Sequence, residues 1–360
     1  MYRGVNIRFD DTSNIANVFT GKGVLAYSRE IEEQMAKGKA KLEFDRCALF
    51  DTNLLSDLPK YFSGEPFDDP EHPVRIGNVL KFIDKELGRS FSFSFAALEN
   101  LLEARKADNP HPLRKVAAVK ADDKHGVSAK FEDVEKFFVK AKEFWLSMLT
   151  NEAAWNELHR RDIVYCVLIK AQLLRWSNTP LNEGVLELIK LSLGCFGKIA
   201  FKEIYFGWKL LRGNADATKQ MMIFKETDLN NPTKKSIQRI SALAWDLFMF
   251  RHFETLLTQY KGSKFFIPVI TTFDTRLLQA IELCPLRALI IDDEASQVVT
   301  VFDDELEFQE CLNDAVKNHA EIEERIRNPQ LQRQIAPNFV KVSQMIVELE
   351  ELVMKRTRAI

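Results

Sequence analysis

Four carboxylates in this chain stand where chemistry could be done: Asp51, Glu99, Asp246 and Asp274. Asp51 ends the apolar run from Cys47 to Phe50 and is followed by Thr52, Asn53 and the apolar pair Leu54 and Leu55. That pattern predicts a short buried strand stopping at the acid, with a helix starting just beyond it. Asp274 closes a second such run, Phe265 to Phe273. Glu99 follows the strictly alternating Phe91-Ser92-Phe93-Ser94-Phe95 and falls near the first turn of a helix over 96–104. Asp246 sits inside a long helical stretch, with Leu243, Met249, Phe250 and Phe253 on its own face. In open α/β sheets the carboxyl ends of strands are where ligands and catalytic groups collect. Carboxylates gathered there repel, and hold protons unless a divalent cation sits among them. Oxygen ligands without His or Cys suit Mg²⁺ or Mn²⁺ rather than zinc.

Each acid taken alone has a plainer reading. Asp51 and Asp274 are well placed as helix N-caps, and Glu99 as a favourable charge near a helix N-terminus. Asp246 on an apolar face costs on the order of several kcal/mol unless it is paired or binds a cation. A salt bridge to Arg239 or another base answers that cost as well as a metal does. What weighs for chemistry is the set.

The elements that must position these acids follow from periodicity and punctuation. After the strand at 47–51 comes a Pro-, Gly- and Asp-rich loop over 63–73 and a short helix near 76–87. Residues 27–39 carry an amphipathic helical pattern. Residues 106–126, polar and holding Pro110, Pro112 and Gly126, read as an exposed loop or linker. From Phe131 to about Leu211 the chain is strongly helical. Its stripe Phe131, Val134, Phe137, Phe138, Ala141, Phe144, Trp145, Met148 is core-like, and helices near 152–175, 182–195 and 199–212 follow. A long helix covers about 236–260, then the strand to Asp274, a helix at about 275–283 and a further strand at 286–291. The last sixty residues are mainly helical, and Phe339, Val342, Met345, Ile346, Leu349, Leu352 and Val353 give the final helix one apolar face. Strand–helix alternation on both sides of a helical block implies one α/β domain with an insertion.

Composition narrows the field. The chain has 360 residues, 46% hydrophobic and 28% charged, with a net charge of −2, so overall charge gives no support to nucleic-acid binding. No apolar run reaches the roughly eighteen residues of a membrane span, and Met1-Tyr2-Arg3-Gly4 does not open a secretory signal. Five scattered cysteines (Cys47, Cys166, Cys195, Cys284, Cys311) without CxxC spacing argue for reduced thiols and a cytoplasmic location. No GxxxxGK[ST] or GxGxxG loop is present.

The ordered set Phe50-Asp51-Thr52-Asn53, Ala97-Leu98-Glu99, Ala244-Trp245-Asp246 and Thr271-Thr272-Phe273-Asp274 resembles the PIN nuclease family. There an aspartate follows the first strand, often as DTN, and a glutamate follows the second. A third acid sits on a long helix, and the last follows a strand as T-x-D. The resemblance spans about 45–105 and 236–293. It implies a PIN-like α/β/α sandwich with a parallel central sheet, interrupted by a large α-helical insertion and followed by C-terminal helices. The expected parts are an N-terminal extension (1–45), the first part of the PIN-like domain (46–105), the insertion (106–235), the second part (236–295), and an acidic segment with C-terminal helices (296–360). It also implies cleavage of RNA, single-stranded above all, or of DNA, with Asp51, Glu99, Asp246 and Asp274 holding Mg²⁺ or Mn²⁺. Asn53 and Thr272 would support that shell, and Arg276 would touch phosphate. The chain departs from compact members by placing over 130 residues between Glu99 and Asp246, which leaves Glu103, one turn on, as the substitute for Glu99.

Two charged tracts bear on partners. Residues 198–239 hold nine Lys or Arg against four acids, with Phe201, Tyr205, Phe206 and Trp208 interleaved. This is either a solvated helix face or a grip for a phosphate backbone with stacking aromatics. Residues 288–316 hold nine acids and no base. They are expected on the far side of the sheet, the other choice being that they occupy the basic surface. An inhibitor or partner protein, and homo-oligomerisation through the helix at 338–354, are further expectations. The rival readings are an inactive PIN-like scaffold that binds protein or RNA through its insertion, and a phosphatase of the haloacid-dehalogenase type. The latter lacks its second acid, because Asn53 stands in that place.

Overall fold

The computed structural model describes residues 7–8, 18–19, 37, 43–104, 111–212, 231–257, 260–261, 264–274, 277, 286–292, 297–302, 304–328 and 335–358. The expected helices at 27–39 and 275–283 fall almost wholly outside them, as do Arg276 and Cys284. The chain divides into two compact units: residues 1–155, 251–275 and 286–301 in one, and 156–250, 276–285 and 302–360 in the other.

The first unit is organised on a sheet. Strands β1 (Ile7–Arg8) and β2 (Val18–Phe19) precede β3 (Glu43–Phe50), an eight-residue strand whose Cys47, Ala48, Leu49 and Phe50 are buried. Helix α1 (Thr52–Ser63) starts immediately after Asp51 and ends on Gly64 in the left-handed conformation. Then come α2 (His72–Glu86), β4 (Phe91–Ser92), α3 (Ser94–Ala104), α4 (His111–His125), α5 (Phe131–Lys136) and α6 (Phe138–Thr150).

Helix α7 (Glu152–Trp176) leads into the second unit, which holds α8 (Leu181–Phe196), α9 (Phe201–Arg212) and most of α10 (Ser236–Leu257). The chain returns to the first unit for β5 (Tyr260–Lys261), β6 (Lys264–Thr271), β7 (Leu286–Asp292) and most of β8 (Gln297–Phe302). Helices α11 (Glu305–Val316), α12 (Ala320–Arg327) and α13 (Phe339–Arg358) close the second unit.

In the main sheet β3 lies between β4 and β6 and runs parallel to both, with β2 and β5 added antiparallel to β6. This is an α/β/α arrangement with a parallel central sheet, a large helical insertion and C-terminal helices, as the sequence implies. Parallel neighbours are residue-matched from Glu43↔Lys264 to Phe50↔Thr271. Two runs that both end in an acid are thereby brought level. The strand at 286–291 is present as β7, but in a separate three-stranded sheet in which it pairs antiparallel with β1.

Three local expectations are corrected. The polar stretch 106–126 is not all loop: α4 occupies 111–125 and buries Val116, Ala117, Ala118, Val119 and Ala121. Pro112 stands in its first turn, where a missing N–H costs nothing, and its carbonyl accepts the indole N–H of Trp145 at 2.9 Å. The strand at 91–95 is only two residues long, because the helix begins at Ser94. The Ala97 N–H already donates to the Phe93 carbonyl at 2.9 Å, and the Ser92 hydroxyl accepts the Ser94 N–H at 3.4 Å. The stripe from Phe131 to Met148 is shared by two helices that break at Phe137.

The second unit packs helix on helix. A Cβ on Gly207 of α9 would lie 2.5 Å from Leu188 Cδ1 and 3.2 Å from Val167 Cγ1, so α7, α8 and α9 approach closely there because of the glycine. Part of the apolar face of α13 is covered within this unit: Val342, Leu349 and Val353 are buried while Leu352 stays exposed, and the Tyr165 hydroxyl donates to Glu350 at 2.6 Å.

Candidate active site

The parallel register sets the geometry at the carboxyl ends of β3 and β6. Asp51 N–H donates to the Thr271 carbonyl at 3.1 Å, which extends the ladder one residue past the strand and puts Asp51 beside Thr272. The Asp51 carbonyl accepts Leu55 N–H at 3.0 Å, so the residue also begins α1. Its two carboxylate oxygens are both engaged: one accepts Thr52 N–H at 2.7 Å, the other the Thr272 hydroxyl at 2.7 Å. Thr272 Oγ1 in turn accepts the backbone N–H of Asp274 at 2.9 Å, and the Asn53 amide reaches the Asp274 carboxylate at 3.5 Å.

Asp51 and Asp274 therefore share one polar shell, Thr272 between them on one side and Asn53 reaching across on the other. Burial pushes the Asp51 carboxyl above its ordinary value, the bonds from Thr272 and Thr52 pull it down, and the Asp274 charge pushes it up again.

Glu99 joins from the helix that follows β4. It lies in the second turn of α3, and its carboxylate accepts the hydroxyl of Thr52, the first residue of α1. Thr52 is thus tied to Glu99 by its side chain and to Asp51 by its backbone. Glu103 lies one turn further along α3. Asp246, on α10, belongs to the second unit; it is half-buried and has polar interactions of its own, with Leu243, Leu247, Met249 and Phe250 buried around it in sequence.

Three of the four acids are thus brought to one end of the parallel sheet. Among the described residues, though, no three His, Cys, Asp or Glu side chains stand close enough together to hold a metal ion. The sequence reading did not include Thr52 as the link between Asp51 and Glu99. Its hydroxyl beside the acid was the available signal. Nor did it include His72, whose ring lies 4.8 Å from that of Phe273, the residue before Asp274. Nothing in the sequence around His72 announces that contact.

The basic surface is corrected by the structure. Within the second unit Lys209 is salt-bridged to Asp304, Arg212 to Glu307 at 2.5 Å and Lys202 to Glu305 at 3.9 Å. The Tyr205 hydroxyl also donates to Asp304 at 2.6 Å. Tyr205, Phe206 and Trp208 are buried, so they form core rather than a platform for bases. The part of the acidic tract at 304–307 therefore occupies the cations of α9, where the sequence placed the tract on the far side of the sheet. Opposite charges and a shared aromatic patch of Tyr205, Trp208 and Phe308 hold it there.

Among the described residues no helix is long and apolar enough to cross a membrane. A small parallel sheet flanked by helices agrees with the broad Rossmann-like group that includes PIN nucleases and many other hydrolases, without singling out PIN. In comparisons with family models, with curated proteins and with solved structures, nothing matches this chain.

Proposed function

We propose that this chain is a divalent-metal-dependent nuclease of PIN-like type, cutting single-stranded RNA. The observation that carries the reading is the Asp51–Thr272–Asp274 arrangement at the ends of two adjacent parallel strands. A buried carboxylate whose proton affinity is raised by burial and by a neighbouring acid, in a shell of hydroxyl and amide donors, is a poor structural choice and a good place for a cation. The donors are all oxygen, which fits Mg²⁺ or Mn²⁺. Asp51 and Asp274 would hold the ion, with Glu99 as the further carboxylate of the set. Bound there, the ion would lower the pKa of a water and stabilise charge on the attacked phosphate.

The chain's own residues do the rest. Thr272 orients the Asp51 carboxylate, Asn53 fixes Asp274, and Thr52 holds Glu99 toward the strand end, which supports Glu99 over Glu103 as the second acid.

The other reading is a PIN-like scaffold without activity. That no three His, Cys, Asp or Glu side chains among the described residues stand close enough together to hold a metal favours it. The deciding experiment is cleavage of mixed single-stranded RNA and DNA with Mn²⁺ or Mg²⁺, wild type against Asp51→Asn. Metal-dependent cutting that the substitution abolishes establishes the nuclease and shows which nucleic acid it prefers. No cutting by a folded wild type leaves the scaffold.

A further inference from the structure

Beside the acids, the first unit keeps a short run of half-exposed rings. Phe67 lies in the loop between α1 and α2, where Gly64, Glu65, Pro66, Asp68, Asp69 and Pro70 are exposed and Phe67 itself is half-buried. Its ring centroid is 5.1 Å from that of His72, and His72 is 4.8 Å from Phe273. Phe273 connects directly to Asp274. The series Phe67–His72–Phe273 therefore runs from a solvent-exposed loop to the carboxylate cluster.

Polar contacts set the rings in place. His72 Nε2 is 2.7 Å from Asp57 Oδ2 and its Nδ1 is 3.2 Å from an Arg75 nitrogen, so the imidazole is held at both ends. Arg75 is itself anchored to Asp69 at 2.5 Å. Lys60 places its ammonium 4.7 Å from the Phe67 ring centroid.

A phenylalanine in a polar loop is normally turned inward. Here Lys60 and His72 contact one that stays half-exposed, Arg75 bridges His72 to Asp69, and the acids lie at the other end. Half-exposed aromatic faces with adjacent cations are how proteins hold single-stranded nucleic acid: the rings stack bases and the cations meet phosphates.

We infer that Phe67, His72 and Phe273, with Lys60 and Arg75, form a base-stacking subsite. It would hold the nucleotide next to the phosphate presented to Asp51 and Asp274. The inference rests on the nuclease reading for its substrate but is tested by binding alone. Phe67 and Lys60 meet the substrate in this picture; His72 is a positioning residue acting through Phe67 and Phe273.

The test uses the full chain carrying Asp51→Asn, so that nothing is cut, and measures the affinity of a fluorescent single-stranded oligoribonucleotide. Phe67→Ala should weaken binding about tenfold, Phe67→Trp should retain it, and Lys60→Met should weaken it and flatten its salt dependence. With an oligonucleotide carrying abasic sites throughout, Phe67→Ala should change nothing. A melting curve on each variant separates lost stacking from lost folding, and Phe67→Trp serves where Phe67→Ala unfolds. Equal losses on normal and abasic strands, no loss on either, or no binding by the parent overturns the subsite. Cleavage by wild type with no effect of Phe67→Ala sinks the subsite and leaves the nuclease. Base-dependent binding without cleavage by wild type leaves the subsite and sinks the nuclease.

Discussion

Two groups of carboxylates in this molecule are built on the same residue types and treated in opposite ways. At the start of α11, Asp304, Glu305 and Glu307 face Lys209, Lys202 and Arg212, and every one is answered by a cation. At the ends of β3 and β6, Asp51 is answered by a threonine hydroxyl and a backbone N–H, with Asp274 close enough to raise its proton affinity. The first arrangement is what a fold does with acids it needs for cohesion. The second sets no cation against Asp51 among the described residues, which is the feature the nuclease proposal builds on.

The comparison breaks if the two groups respond alike to removal. On the proposed nuclease reading, Asp51→Asn should lower metal-dependent cleavage on the order of 10³-fold, because a ligand charge would be lost, while denaturant midpoints barely move. Asp304→Ala should do the reverse. Lys209 and Asp304 expose only 14% and 17% of their side chains, so removing the acid takes the ion-pair partner from a largely buried ammonium and an acceptor from the Tyr205 hydroxyl. That should cost about 3 kcal/mol of stability with specific activity intact. Activity assays and urea melts on the same two proteins decide it. If Asp304→Ala also abolishes cleavage while folded, the basic surface belongs to the site and the contrast is wrong.

A third acid sharpens the contrast by showing what burial alone does. Asp122 on α4 is 7% exposed, and its carboxyl is pushed up to about 6, by burial first, with Arg89 pulling it down and Asp123 and Asp84 adding to the rise. A carboxyl whose folded pKa is raised takes up a proton on folding between its unfolded value of 3.8 and about 6. Its contribution therefore favours the fold below that window and is lost as pH rises through it. At about 1.4 kcal/mol per pKa unit, Asp122→Asn should stabilise the protein by about 2–3 kcal/mol at pH 7 and by nothing near pH 3.5. Asp51 is raised in the same sense, so Asp51→Asn should also gain relative stability as pH rises. Urea midpoints at the two pH values test both, and a pH-independent Asp122→Asn would show that its carboxylate finds a partner when it ionises.

How much of this was legible in the sequence depends on the range of the interaction. Asp51 and Asp274 could be found because each acid sits at the end of its own apolar run, and parallel pairing levels two such ends. Glu99 was found but placed a turn too early, because Phe93 and Ser94 alternate like a strand while the Ser92 hydroxyl starts the helix. Helix α4 was missed since its buried face is mostly Ala and Val between charged residues, and its leading prolines read as a breaker when one of them only opens the first turn. The pairing of α9 with α11 joins residues about ninety-five apart and leaves no local trace beyond complementary charge. The β1–β7 pairing rests on a two-residue strand, too short for any pattern.

The smallest expected effect separates the two duties of Asp51. As first residue before α1 its side chain accepts the Thr52 N–H at 2.7 Å, and a lost N-cap costs about 1 kcal/mol. Asparagine caps as well as aspartate, whereas alanine does not. Asp51→Ala should therefore lower the urea midpoint by an amount equivalent to about 1 kcal/mol at unchanged slope, while Asp51→Asn stays at or above wild type at pH 7 because its side chain carries no charge to desolvate. Both should be equally dead in cleavage. That pairing, one variant stable and one not, both inactive, is what a cap that is also a ligand produces. If asparagine restores cleavage as well as capping, the carboxylate is there for the helix, and Asp51 joins Asp304 on the cohesive side of the comparison.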